Sequence, residues 1–261
     1  PSSLIDNMMI YKSPSAELPA DFSGGFVRVM TKNIPDGNTF NVSYQMGFNT
    51  NATFRNFQLT DGTAKDYLGF GADVRNLPSS FPAHLGEHST DEAAAFTRQI
   101  NQRWGINKFT AIPDQKISLT SHRSYDVGGW KIGNITNLNW STEFDYSETV
   151  NNNYIAYDVK NDVSRPRFEY NDIRYKNTSK LGALFNWSFQ RDGSKYELRN
   201  FFSQRGVSAL TQREGMNYYS DKDIRKWESL YTGRTTYSGQ ISGVHTLREN
   251  VNKVDWTVGY A

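Results

Sequence analysis

The strongest constraint in this chain is a two-residue alternation of apolar and polar side chains that outlasts an ordinary strand. Phe40, Val42, Tyr44, Met46 and Phe48 alternate with Thr39, Asn41, Ser43, Gln45 and Gly47. Successive side chains on a strand point to opposite faces, so this run is a strand with one apolar face. A helix would scatter the same residues around its circumference. The pattern recurs. Trp130, Ile132, Leu138, Trp140, Phe144 and Tyr146 oppose Asn137, Asn139, Ser141, Glu143 and Asp145, and Leu181, Ala183, Phe185, Trp187 and Phe189 oppose Gly182, Asn186, Ser188 and Gln190. Shorter versions surround Ile117 and Leu119, then Tyr196, Leu198 and Phe202, then Tyr231, Tyr237 and Ile241, and finally Val254, Trp256, Val258 and Tyr260. About seven strands are expected, some well beyond the usual five or six residues.

The connections between them alternate in length. Residues 49–114 make a first connection of about 65 residues, far beyond an ordinary loop. Within it Ser89-Thr90-Asp91-Glu92 reads as a capping box that opens a helix reaching to about Trp104, and Pro78, Pro82 and Pro113 punctuate the rest. Polar connections are also expected over residues 148–172 and 213–226. Tight turns are expected at Gly128-Gly129, at Asp192-Gly193 and near Glu249-Asn250. Long outer loops alternating with brief turns are the layout of transmembrane β-barrels.

Composition decides between this and disorder. Only 37% of residues are hydrophobic and the mean hydropathy is -0.68, yet 14% are aromatic, which a disordered chain would lack. A barrel fits all three, since half its strand residues face a polar interior and aromatics gather at the interfaces. A soluble carbohydrate-binding β-protein shares the same aromatic and Asn content. The net charge of +2 gives no nucleic-acid signature, and the absence of Cys removes disulfides and thiolate metal sites. No apolar run is long enough for a transmembrane helix. The chain is expected to be a fragment, with a targeting segment upstream of Pro1 and further strands downstream, because a closed barrel of this class has at least eight.

One motif carries possible chemistry. His84-Leu85-Gly86-Glu87-His88 has the spacing of inverted zinc peptidases, which need both His side chains on one face of a rigid helix. Gly86 inside the motif, Pro82 before it and the helix cap only at Ser89 place it in a loop, so neither metal binding nor catalysis is expected. The triplets Asn51-Ala52-Thr53 and Asn134-Ile135-Thr136 are read as by-products of Asn/Thr-rich strands. Tyr154, Tyr157, Tyr218 and Tyr219 are assigned to a membrane-boundary girdle in preference to ligand contact. No nucleophile–base pairing, phosphate loop or dinucleotide fingerprint occurs, so the chain is not expected to be an enzyme or to hold a cofactor.

The run Lys12-Ser13-Pro14-Ser15-Ala16, followed by Gly24-Gly25-Phe26-Val27-Arg28-Val29-Met30-Thr31-Lys32, resembles the end of the plug domain of TonB-dependent outer-membrane receptors. There a Lys-Gly-Pro-Ser-Ala-type turn leads into a Gly-Gly strand ending in Thr-Lys, after which the barrel begins. Ser13 stands where Gly is usual, and Asp21-Phe22-Ser23 replaces a Gly/Ala-rich approach. The resemblance implies an all-β protein in the Gram-negative outer membrane, with residues 1–34 closing a plug and 35–261 beginning a transmembrane antiparallel barrel. The turn around Pro35-Asp36-Gly37 marks the boundary. It implies active uptake of a bulky nutrient (iron chelate, cobalamin, glycan or peptide), powered by the TonB energy-coupling complex through a segment upstream, with outer-membrane lipid and a surface lipoprotein as further partners. The alternative is a non-transporting barrel that serves as a surface scaffold or in adhesion. No substrate-binding residue is singled out. Alternation places Phe40, Val42, Phe144, Phe185, Trp187, Trp256 and Val258 toward lipid, and Asn41, Ser43, Glu143, Asn186 and Ser188 toward the lumen.

Overall fold

A computed structural model describes residues 5–13, 24–31, 37–100, 103–247 and 252–261. The expected turns at Pro14-Ser15-Ala16, Pro35-Asp36 and Glu249-Asn250, and the boundary between residues 34 and 35, lie outside the described residues. The protein is all-β with little helix. Strands β1 (Ile5–Tyr11) and β2 (Phe26–Thr31) pair antiparallel in a sheet of their own, with Gly24 at a φ of 79° before β2. A seven-stranded antiparallel sheet follows, built from β3 (Thr39–Gly47), β6 (Asp114–Val127), β7 (Trp130–Asp158), β8 (Val163–Arg191), β9 (Ser194–Asn217), β10 (Lys222–Leu247) and β11 (Asn252–Tyr260). These strands neighbour one another in chain order, with β3 and β11 at the two edges. Between β3 and β6, the short strands β4 (Asn56–Thr60) and β5 (Ile106–Thr110) form a third sheet.

The expected seven strands are the seven of the large sheet, but two connections are not loops. The 148–172 stretch is strand as far as Asp158 and again from Val163, so the turn is only residues 159–162. Similarly β9 runs to Asn217 and β10 starts at Lys222. Polar residues occupy both faces of these arms, which removes the alternation signal, while the cross-strand ladder still satisfies every second backbone group. Tyr154 lies fourteen residues beyond Trp140 along β7, about 45 Å away at strand rise, and Tyr157 lies further out. Tyr218 and Tyr219 sit in the β9–β10 turn. These four tyrosines are therefore at the outer ends of the arms, far from Trp140. The tight turns are as expected: Gly128 and Gly129, then Asp192 and Gly193, all have positive φ, the geometry that matches strand twist in a two-residue hairpin.

Register carries one apolar face across the whole sheet. Val42, Leu119, Leu138, Ala183, Phe202 and Tyr237 form one continuous row, and Tyr125, Ile132, Phe189, Tyr196, Gly243 and Trp256 another. All seven residues assigned to the apolar side share this face, and Asn41, Ser43, Glu143, Asn186 and Ser188 share the other. Along β7 the apolar band runs from Trp130 to Trp140; it is interrupted beside the entry to β3 by Ser121, Arg123, Asn134 and Thr136. Along β8 the polar face is the more enclosed. Ser188 is 2% and Asn186 7% exposed, against 45% for Phe185, whereas Asn41 and Glu143 on the same polar face are exposed. A buried ladder links Asn137 to Ser118 and Thr120 across it.

Phe144 departs from the expectation. It shares the apolar face but is 4% exposed, because residues 48–113 fold back over that face instead of standing clear as a loop. Helix α1 (Thr90–Arg98) carries the expected Ser89–Glu92 capping box but ends at Arg98, short of Trp104.

Candidate functional site

The layer formed by residues 48–113 is seated by two contacts, one apolar and one built on small residues. The apolar contact is Phe57 of β4, whose ring meets Phe144 at 5.4 Å and Tyr175 at 5.2 Å, both edge-on, and Phe109 of β5 at 5.6 Å. Ala52 and Ala111 close around it. Polar bonds ring this core: Gln212 Nε2 donates to Gln58 Oε1 at 2.8 Å, Thr60 and Ser229 hydroxyls lie 2.7 Å apart, and the Phe144 amide donates to Asp114 Oδ1 at 2.7 Å.

The second contact is a trough. Thr142, Ser179, Gly206 and Gly233 form one row across β7 to β10, just past the end of the apolar band. Residues 67–72 cross that row as a strap. Trp140 Nε1 donates to the Tyr67 carbonyl at 2.6 Å, Gln204 Nε2 donates to the Gly69 carbonyl, and the Gly71 amide donates to Tyr231 Oη at 2.8 Å. Gly69 has a φ of 82° and ends the 3-10 turn Ala64–Leu68. A Cβ placed on Gly206 would lie 2.6 Å from the Gly69 Cα, so the strap needs glycine on both sides of the contact.

An ion pair clasps the strap's far side. Arg75 binds Asp66 in two-pronged fashion (Nη2–Oδ2 2.6 Å, Nη1–Oδ1 3.0 Å), donates to the Gly71 carbonyl at 2.6 Å, and lies 4.4 Å over the Tyr231 ring. Two parallel charge-assisted bonds and a cation–π contact on partly buried groups fix geometry firmly. Burial raises the pKa of the Tyr231 phenol, keeping it a neutral hydrogen-bonding partner.

Two cavities flank the clasp. One, of about 280 Å³, is lined by Leu59, Asp66, Tyr67, Phe109 and Asn177; the other, of about 490 Å³, by Thr60, Arg75, Leu77, Trp104 and Tyr231. Their size and mixed lining suit binding of a small group. The Arg75 guanidinium is already committed to Asp66, Gly71 and Tyr231, so it acts here as a positioning group.

His84 and His88 flank the single 3-10 turn Leu85–Glu87. His88 Nδ1 lies 3.8 Å from Glu92 and its ring packs edge-on against Phe96 at 5.2 Å, so it serves the start of α1. Among the described residues no three metal-ligating side chains gather. On the polar face the charged side chains pair across strands: Lys180 with Glu143, Lys176 with Asp145, and Arg213 with Asp172. Sequence reasoning missed the strap and its clasp. The available signal was Gly206 and Gly233 inside alternating strands, where missing side chains mark a close backbone approach. No family model, curated protein or solved structure matches this chain.

Proposed function

We propose that this chain is the plug end and first wall segment of a TonB-dependent outer-membrane transporter, which takes up a bulky nutrient across the Gram-negative outer membrane. The observation that carries the reading is the one-sided apolar band. Eleven residues from Trp130 to Trp140, at about 3.3 Å each on a strand tilted about 45°, span about 25 Å, the height of a barrel's lipid-facing band. The band crosses all seven strands, about 30 Å at the usual strand spacing, and although Asn134, Thr136, Asn200 and Gln204 interrupt it, it is wider than the patches that soluble monomers usually leave exposed. That size favours lipid over a soluble carbohydrate-binding role.

The rim composition supports the same reading. Tyr125, Trp130, Tyr196 and Trp256 gather at the turn end of the band, with Trp256 Nε1 donating to His245 Nε2 at 3.1 Å. Such amphipathic rings favour the level of the lipid headgroups. Arg123 sits two residues along β6 from Tyr125 of that rim, close enough for its long side chain to reach the headgroups. The polar face then lines the lumen, with Lys180 and Glu143, and Lys176 and Asp145, paired across its strands. The β1–β2 hairpin is assigned to that plug.

Transport in this reading needs part of the plug to move against the wall. The test is a pair of disulfide locks in the full-length protein. One ties the upstream plug to a lumen-facing wall position, and the other ties the Gly24–Thr31 segment to the adjacent wall. Uptake lost on upstream locking and restored by reductant supports the mechanism, with a smaller effect from the second lock. Unchanged uptake with the upstream lock fully formed overturns it.

A further inference from the structure

The strap has an inward and an outward side. Gly69 and Gly71 are buried against the trough, whereas Tyr67, Leu68 and Phe70 are 55%, 46% and 39% exposed. Phe70 also stacks over Phe202 at 6.4 Å, so the outward patch is continuous with the row of Val42, Leu138 and Tyr237 in the apolar band. Three apolar or aromatic side chains presented in a stretch of four, on a segment pinned by three hydrogen bonds, gain nothing from water. Exposed charge flanks the patch, with Lys65 and Asp73 paired at 2.5 Å. Apolar residues facing outward between charged neighbours, held level with the end of an apolar band, are what a lipid interface selects.

We infer that the strap is an interfacial anchor: Tyr67, Leu68 and Phe70 enter the outer leaflet at headgroup depth, and the partner of this surface is the lipid itself. The inference rests on the membrane reading above. It gives the trough a purpose. Small residues at Thr142, Ser179, Gly206 and Gly233 let a chain segment lie flat on the wall where a larger row would lift it away from the rim. The clasp of Asp66, Arg75 and Tyr231 then holds the anchor to the wall, so that the layer of residues 48–113 is fastened at both the bilayer surface and the sheet.

The test uses the full-length protein reconstituted in phosphatidylcholine vesicles, with single cysteines carrying a bimane label. Leu68→Cys probes the strap, Val258→Cys the apolar band and Tyr219→Cys an arm tip; this stretch has no native Cys to interfere. Lipids carry a doxyl quencher either high on the acyl chain or near its end. The strap label is expected to be quenched at least about twofold more by the high quencher than by the low one, the depth preference of an interfacial residue. Tyr67→Cys is expected to give the same order, and the arm tip to be unaffected. A quenched band label with an unquenched strap label overturns the anchor and leaves the membrane reading standing. Equal quenching of the strap label by both lipids places it in the hydrocarbon and overturns the interfacial depth. An unquenched band label defeats the membrane reading, and the anchor with it.

Discussion

Replacing Phe57 by Ala should release the layer of residues 48–113 from the sheet. Phe57 is 1% exposed, and its ring touches two sheet residues, Phe144 and Tyr175, and one partner within the layer, Phe109. Truncating a buried Phe costs about 3–5 kcal/mol, and edge-to-face pairs contribute about 0.5–1.5 kcal/mol each within such totals. Two of the three ring contacts join layer to sheet, so about 2–3 kcal/mol of the loss falls on docking. That raises the undocked population about 30- to 150-fold at tenfold per 1.4 kcal/mol. Limited trypsin digestion of the folded full-length protein reads this directly. Lys108 is in the middle of β5, paired to Gln58, and is cut only when the hairpin opens. Where reclosing is faster than cutting, the rate follows the open population. Phe48→Ala, at a side chain 67% exposed, should leave the rate unchanged. Equal rates at Lys108 for Phe57→Ala and the parent would refute the assignment of Phe57 as the fastening.

Gly206→Ala should loosen the strap by about 1–3 kcal/mol, since the new methyl meets the Gly69 backbone, and faster amide exchange at Gly71 is the readout. Gly239→Ala should cost less, because its Cβ meets no backbone but only the Tyr237 ring, the hydroxyl at 2.8 Å and Cε1 and Cζ at 3.3 Å, which can swing aside at the expense of its bond to Asn200. Asp172 has a lowered pKa, chiefly through its side-chain hydrogen bond to Arg213, so the pair stabilises the arms above the ordinary Asp range and loses that effect as pH falls through the lowered value. Amide protection factors in the arm of β8 and β9 around Asp172 and Arg213, corrected for the intrinsic pH dependence of exchange, should therefore fall below about pH 4, the unperturbed Asp value, and Asp172→Asn should flatten that dependence.

The strands of the large sheet were legible wherever one face was apolar, because period two is then written in the residue types. Phe185 and Asn186, or Val42 and Asn41, declare opposite faces without any structure. The arms were illegible for the converse reason: between Glu148 and Asp172 no face is apolar, and strand there rests on the backbone ladder and on pairs such as Arg213 with Asp172. The capping box at Ser89 was readable because it is local. The strap was not, since residues 67–72 acquire their role only from a row of small side chains contributed by four separate strands. Phe144 illustrates the limit of alternation. It reads as one more residue of the apolar face, and only the fold of residues 48–113 decides that Phe57, rather than lipid, covers it.

The central claim is that the apolar face meets lipid and the polar face a lumen. It is tested most directly by placing an arginine on each face within the band. Phe185 lies mid-band on the apolar side. Ser188 is too enclosed to accept an arginine cleanly, so Thr236 is the polar-face position; it is exposed and linked through Ser203 and Gly182 to Asn139 on β7, inside the Trp130–Trp140 span and three residues from the Thr136 that pairs with Phe185. In refolding titrations of the full-length protein into liposomes, Phe185→Arg should lose about 2–4 kcal/mol and Thr236→Arg much less. Equal losses at the two positions, or a larger loss at Thr236, would contradict the assignment of faces.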